Sequence, residues 1–292
     1  MHLVTYNIQY GTGKDGKVDL GRIVNEISGV DVIAMQEVDR FWSRSNMTDQ
    51  VKEITDKLPD YHWVYGPGVD LNASVKNATG RLQNRRRQFG NLVLSKFPIL
   101  ASRNHLLPKM SFHAQLSIQR SMLDCVIAGP RGHGRIASLH LAHAAPPERI
   151  GQIDHIRQLQ TEAGHDGGVL SGEHENWRED DVFPSWPHAS VLLGDFNTLS
   201  DLGVASQQAY AGLAGPMDPK YGRITQTDGY LDAWILSGGD PDAGHTKFED
   251  TGNRRIDYCF VSPNLADRLL AVRVDEIAQG SDHQPLWVEM DL

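Results

Sequence analysis

Three observations predict an α/β fold. Short apolar runs of β-forming residues recur along the chain, helical apolar spacing appears between several of them, and polar residues interrupt the runs at their ends. A short apolar run bounded by turn signals suggests a strand buried on both faces. Segments 2–6, 31–35, 135–139, 190–194 and 256–261 fit that description. Leu20, Ile23, Val24 and Ile27 follow 3.6-residue spacing behind Asp19, a capping residue type, and Gly29 stands where the helix would stop. A second helix is expected from about Thr48, with Val51, Ile54 and Leu58 on one face. Pro146-Pro147-Glu148 reads as the first turn of a third, which carries Ile150, Ile153, Ile156 and Leu159. His155 falls among these positions as a surface or packed residue. Strand and helix alternate without an internal repeat. Gly11-Thr12-Gly13 is too short and too poorly placed for a dinucleotide fingerprint, and reads as a turn or a loop over a rim.

The polar interruptions share one grammar. Tyr6-Asn7-Ile8, Gln36-Glu37-Val38, Leu139-His140-Leu141, Gly194-Asp195-Phe196-Asn197 and Gly280-Ser281-Asp282-His283 each set polar groups at the edge of an apolar run. An Asp-His pair alone reads equally well as an exposed loop. Five such insertions would converge if neighbouring strands end on one rim. Buried carboxylates without partners are costly, so converging acids imply a cation or mutual hydrogen bonds. Glu37, Asp195, Asp257 and Asp282, with Asn7 and Asn197, supply hard oxygen ligands and amide groups. The lack of a cysteine or a spaced histidine pair among them argues against zinc. Such a set suits magnesium or manganese, which keep waters and share a substrate's phosphate oxygens.

These motifs, with Gly90-Asn91-Leu92-Val93-Leu94-Ser95-Lys96-Phe97-Pro98 and Arg255-Ile256-Asp257-Tyr258 between them, resemble the endonuclease/exonuclease/phosphatase superfamily. That is the fold of DNase I-like nucleases, sphingomyelinases and inositol-polyphosphate 5-phosphatases. They appear in family order from Asn7 to His283. The resemblance implies a four-layer α/β/β/α sandwich of two mixed sheets, formed by residues 1–292 as a single domain with an insertion at about 164–189. It implies Glu37 as principal metal ligand, with Asn7 and Asp282 adjacent or binding through water. Asp195 is similar to the carboxylate that orients or deprotonates the attacking water, and Asn197 to the amide that holds that water or a phosphoryl oxygen. His283 would contact the phosphoryl oxygens with Asp257 fixing its ring, and His140 would donate to the phosphate or protonate the leaving oxygen. Two departures weaken a DNA-repair reading. Gln9 stands where the abasic-site repair branch has an acid, and His140 where it tends to have a tyrosine.

Composition agrees with one soluble enzyme. The chain has 292 residues, of which 40% are apolar, and a mean hydropathy of −0.40. It has no apolar run of about 18 residues, the length a membrane span needs. The first run begins within two residues of the N-terminus, leaving no room for an export signal, so a cytoplasmic location is expected. Cys125 and Cys259 each sit inside an apolar run and read as buried thiols. The net charge of −9 disfavours tight duplex binding, which relies on basic side chains neutralising phosphates. Local basic groups remain as candidate phosphate clamps: Arg40 and Arg44 behind Glu37, and Arg81 with Arg85, Arg86 and Arg87, of which Arg40, Arg85 and Arg87 are the substrate-binding candidates. Each reads alternatively as a surface ion pair or a solvated loop. Segment 164–189 carries Trp177, Phe183 and Trp186, which argue against plain disorder. It is expected near the rim, as a wall of the pocket that restricts substrate size, or else as a surface decoration or oligomer contact.

The function expected is a Mg2+- or Mn2+-dependent phosphoesterase acting on a phosphodiester, with a phosphorylated small molecule or lipid headgroup favoured as substrate. A DNA or RNA nuclease of the same fold is the first alternative. A catalytically silent module that binds a phospho-ligand or a protein is the second.

Overall fold

Residues 1–112, 116–172, 174–177, 185–198, 229–250 and 252–292 are described by the computed structural model. Two six-stranded mixed sheets form its centre. The first holds β1 (His2–Asn7), β2 (Val32–Arg40), β3 (His62–Asn72), β6 (Arg86–Ser95), β13 (Leu269–Val274) and β14 (Leu286–Met290), in the order β13-β14-β1-β2-β6-β3. The second holds β7 (Ile99–Leu106), β8 (Ser121–Gly129), β9 (Gly132–His140), β10 (Ser190–Asp195), β11 (Leu231–Asp232) and β12 (Asp257–Val261), in the order β11-β12-β10-β9-β8-β7. A separate ribbon joins β4 (Val75–Lys76) to β5 (Leu82–Gln83). Both sheets follow one pairing pattern. Each has a central parallel pair, β1 with β2 or β9 with β10, and every other neighbour is antiparallel.

The uninterrupted apolar runs are explained by burial on both faces. Alternate residues of each strand point to opposite sides of a sheet. Leu3, Val32, Ala34 and Val93 of the first sheet meet Leu123, Cys125, Ile136, Val191 and Leu193 of the second in a shared interior. On the outer face of the first sheet, Val4, Tyr6, Ile33 and Met35 pack on α1 (Leu20–Glu26) and α2 (Gln50–Lys57) through Leu20, Ile23 and Ile54. On the outer face of the second, Met122, Ala137, Leu139 and Leu192 take Ile153 and Ile156 of α3 (Pro146–Glu162). Helices therefore cover both outsides of the sandwich. Each fully buried Leu or Ile contributes roughly 1.5–3 kcal/mol to holding these layers together.

The helix signals act as expected, with one shift. The Asp19 carboxylate accepts from Arg22 N at 3.0 Å to cap α1, and Gly29 follows at φ 84°. Asp49 caps α2, one residue later than Thr48, whose hydroxyl instead donates to Ser45 O at 2.8 Å. Pro146 begins α3, where its missing N–H costs nothing. Cys125 and Cys259 are buried free thiols, and burial pushes both well up. Among the described residues no helix is long and apolar enough to cross a membrane.

Two features differ from the sequence expectation. The β2 run does not end at Met35: it continues to Arg40 through a bulge between Met35 and Val38. The described parts of segment 164–189 attach along the outer face of the second sheet. Trp186 packs against Val126 and Ala163 under the Arg103 guanidinium, 4.7 Å from its ring. Ala163 is the far end of a 17-residue helix whose first turn lies beside His143, so this anchor is about 25 Å along that helix. Phe183 lies outside the described residues.

Candidate active site

The strand pattern creates the site. Parallel partners end on the same rim, and antiparallel neighbours enter the sheet there. In the first sheet Asn7 ends β1, Glu37 sits at the β2 bulge, and Asp282 and His283 lie in the loop that enters β14, two residues short of it. In the second, His140 ends β9, Asp195 ends β10 and Asp257 opens β12, with Asp195 opposite both others in register. Three adjacent strand ends of one sheet thus face three of the other.

Four contacts join the two sheets: Asn7–Asp195, His140–Glu37, His283–Asp257 and His283–Asp195. Asn7 Nδ2 donates to Asp195 Oδ2 at 3.0 Å and also to Glu37 Oε1 at 3.2 Å. His140 Nε2 lies 3.3 Å from Asp195 Oδ2 and 3.9 Å from Glu37 Oε1. His283 Nδ1 lies 2.8 Å from Asp257 Oδ2, and its Nε2 points to Asp195 Oδ2 at 3.8 Å.

Local backbone devices set these directions. Glu37 is held at φ 61° by the bulge and Asn197 at φ 47°, conformations that cost a non-glycine residue about 1–3 kcal/mol and concentrate at functional sites. Asn197 N donates to Asp195 Oδ1 at 2.9 Å, and Asn197 Nδ2 donates to Leu141 O at 3.1 Å, which leaves it beside His140 Nε2. Gly194 must be glycine: a Cβ there would stand 1.9 Å from Leu139 O. Ser281 ties the last loop down by donating to Asn7 O at 2.7 Å and accepting from His283 N at 3.1 Å.

The electrostatics separate the two imidazoles. Burial alone would lower the His283 pKa, but the charge and hydrogen bond of Asp257, helped by Asp195, carry it up to about 9. Burial holds His140 well below the ordinary histidine range, and the Arg120 cation lowers it further. Burial, then repulsion from Asp257, pushes the Asp195 carboxyl up to about 7. At neutral pH His283 is therefore cationic and His140 neutral. Arg120 Nη1 stands 3.0 Å from His140 Nδ1. A guanidinium only donates, so Nδ1 accepts and the neutral ring carries its proton on Nε2, toward Asp195.

The donor set suits a hard cation at its Glu37 end. Glu37 accepts one hydrogen bond among the described residues, from a neutral amide. Asn7 Oδ1 accepts from Gln9 N at 3.0 Å and keeps a second lone pair. Asp282 is held nearby through Ser281. Asp195, Asp257 and His283 also bring one ligand atom each within 4.8 Å of one another and could hold an ion. There, however, Nδ1 of His283 is already engaged by Asp257. We read that trio as a hydrogen-bonded chain and favour the Glu37 side as the cation position.

Asn7, Glu37, His140, Asp195, Asn197, Asp257, Asp282 and His283 are thus brought together. The arginines named from sequence stand differently. Arg40 is committed to both Asp49 oxygens, at 2.8 and 2.6 Å, and to Gln88 at 3.1 Å. Arg85 lies over the Phe41 ring at 5.3 Å, and Arg87 donates to Phe41 O at 3.1 Å. Arg44 is gripped by Asp39 through two 2.9 Å bonds and stacks on Tyr10 at 4.4 Å. Two residues at the site went unread in the sequence. Arg120 stands one place before the apolar run of β8 and obeys the same strand-end grammar that found the others. Lys247, with Nζ 3.2 Å from Asp282 Oδ2 and 3.4 Å from His283 Nε2, lies in an irregular loop with no such signal.

A two-sheet sandwich with an acid-, amide- and imidazole-lined rim defines a class of hydrolytic centre, and comparison with known proteins places the chain in it. The profile of the Endonuclease/Exonuclease/phosphatase family matches residues 4–283. The chain belongs to that family. No curated protein sequence matches it. Among solved structures it is similar to an endonuclease/exonuclease/phosphatase from Beutenbergia cavernae, at 22% identity and a TM-score of 0.65, over 99% of this chain and 70% of that one. It is also similar to a mannosyl-6-phosphatase from Bacteroides thetaiotaomicron (17%, TM-score 0.60, all of both chains). A 3'-5' exonuclease from Neisseria meningitidis aligns equally fully (17%, TM-score 0.58). At these identities the likeness concerns the fold, the DNase I-like sandwich.

Proposed function

We propose that the chain is a Mg2+- or Mn2+-dependent phosphoesterase that hydrolyses a phosphodiester, of small-molecule or lipid-headgroup type in preference to DNA. The observation that carries the reading is the meeting of Glu37, Asn7, Asp195, His140 and the Asp257–His283 pair across the two sheets. Glu37, with Asn7 and Asp282, would hold the divalent ion, which when bound supplies Lewis-acid polarisation of a phosphoryl oxygen. Asp195 would orient and deprotonate the attacking water, and a carboxylate whose pKa is raised by burial and by Asp257 suits a general base. His283 offers Nε2–H to a phosphoryl oxygen while Asp257 holds its ring. Neutral His140, with its proton on Nε2, donates a hydrogen bond to the developing charge. Asn197 presents its amide to the same oxygens. Phosphoryl transfer depends chiefly on such positioning and charge stabilisation. The acidic net charge and Gln9 favour a small substrate over duplex DNA.

The test is hydrolysis of bis(p-nitrophenyl) phosphate with Mn2+, run beside the monoester p-nitrophenyl phosphate and supercoiled plasmid. EDTA should abolish turnover, and Glu37→Ala and His283→Ala should each lower the rate at least a hundredfold. A rate indifferent to EDTA or to both substitutions removes the catalytic assignment. Faster turnover of the monoester removes the diester preference, and efficient plasmid nicking puts a nuclease in its place.

A further inference from the structure

We propose that the Lys247 ammonium is a built-in cation in the position of a second metal ion, so that the pocket binds a single divalent ion, on its Glu37 side. The inference rests on the reading of Glu37 as a metal-binding carboxylate and adds what that reading leaves open, the number of ions.

The cluster of Asp195, Asp257 and His283 is compact enough to hold an ion, its ligand atoms lying within 4.8 Å of one another. Nδ1 of His283 is engaged by Asp257 at 2.8 Å, so an ion at this cluster would have to displace the proton of Nε2 and bind there. Nε2 is the atom Lys247 faces. Its Nζ stands 3.4 Å from Nε2, 3.2 Å from Asp282 Oδ2 and 3.8 Å from Glu249 Oε1. Divalent ions bind nitrogen and oxygen at about 2.0–2.2 Å. An ion on Nε2 would share His283 with the ammonium and be repelled by it at close range.

The lysine is held there by backbone as well as charge. Residue 247 forms antiparallel bridges to both His283 and Arg254. Arg254 N donates to Lys247 O at 2.8 Å, and Lys247 N to Arg254 O at 2.9 Å. Thr246 extends the lock, its hydroxyl accepting from Asp257 N at 3.0 Å and its carbonyl from Gln284 N at 2.6 Å. The ammonium is therefore delivered beside the catalytic histidine by the same short ladder that positions that histidine. The Glu37 end is the reverse. Among the described residues Glu37 forms no ion pair with a lysine or arginine, and Arg44 close by is spent on Asp39. One end of the pocket carries an ammonium in direct ion pairs; at the other, Arg44 and Arg120 act on the Glu37 charge from a distance and, among the described residues, neither pairs with it.

Mn2+ binding to the full chain tests this without reference to turnover, by titration with EPR detection of free Mn2+ and by metal analysis after gel filtration. The wild type should hold one ion per chain and show no Mn–Mn coupling in frozen solution. Lys247→Met should take up a second ion, with Lys247→Gln as substitute should the methionine variant not fold, and Lys247→Arg should stay at one. Glu37→Gln should weaken the wild-type ion at least tenfold. Two coupled ions in the wild type overturn the inference alone, as does an unchanged single ion in the uncharged variants. No bound Mn2+ in any of them overturns the metal role of Glu37 as well.

Discussion

Asp257→Asn keeps the size of the side chain and removes the charge that holds His283. The two groups are almost wholly buried and 2.8 Å apart. His283 titrates at about 9 in the fold against 6.5 in an unfolded chain. A folded value raised above the unfolded one stabilises fully below pH 6.5, and that contribution is lost as pH rises through 9. At about 1.4 kcal/mol for each pH unit between the two values, the pair is worth about 3 kcal/mol at pH 6. Relief of the Asp257–Asp195 repulsion offsets part of this, so the variant should lose about 1–3 kcal/mol at pH 6. With roughly 2–4 °C per kcal/mol for chains of similar size, its Tm should fall by several degrees there. Above pH 10 the two proteins should differ far less. The assay is thermal unfolding at pH 6, 8 and 10 in EDTA, with the imidazole titration of His283 followed by NMR. Activity should fall by about a hundredfold or more, since the ring loses both orientation and charge. A stability gap that does not change with pH, or a wild-type His283 titrating near 6.5, would refute the reasoning.

Arg120→Met should free Nδ1 of His140, shift its tautomer and raise its pKa, although burial continues to hold it down. The expected signature is a ten- to hundredfold loss in kcat with little change in KM, together with a changed nitrogen chemical-shift pattern of that ring. Gly194→Ala should force β10 away from β9, because the new methyl would meet Leu139 O at 1.9 Å. A cost of about 1–3 kcal/mol is expected for such overpacking, read as a lower Tm, with an activity loss beyond what the unfolded fraction explains. An alanine variant with wild-type activity would mean that Asp195 does not depend on that close approach.

The sequence carried the elements whose signals are local. Apolar runs at 2–6, 135–139 and 190–194 became strands buried on both faces, and Asp19 and Pro146 started helices where their chemistry favours it. The polar strand ends were legible for the same reason: a carboxylate or imidazole closing an apolar run needs a partner outside its own strand. What could not be read was pairing at a distance. Gln36 and Glu37, both polar, break the alternation of β2, so the run looks finished where the structure shows a bulge. For Arg40 the sequence leaves a phosphate clamp and a surface ion pair both open, and the partner that makes the pair, Asp49, folds back from nine residues on. Lys247 reaches His283 from 36 residues away through two isolated bridges, a geometry with no periodicity to announce it. Arg120 obeys the strand-end rule, but a lone arginine before an apolar run reads equally well as a solvated strand end.

Each of the four cross-sheet rim contacts has one foot in each layer of the sandwich. A slide of one layer against its partner by the span of a single residue, about 3.3 Å, would part them together. The oily filling around Ile136, Val191 and Leu3 is in this sense an alignment gauge for the chemistry at its edge. A methyl group lost deep inside, touching nothing polar, would be expected to loosen the registry of the rim groups.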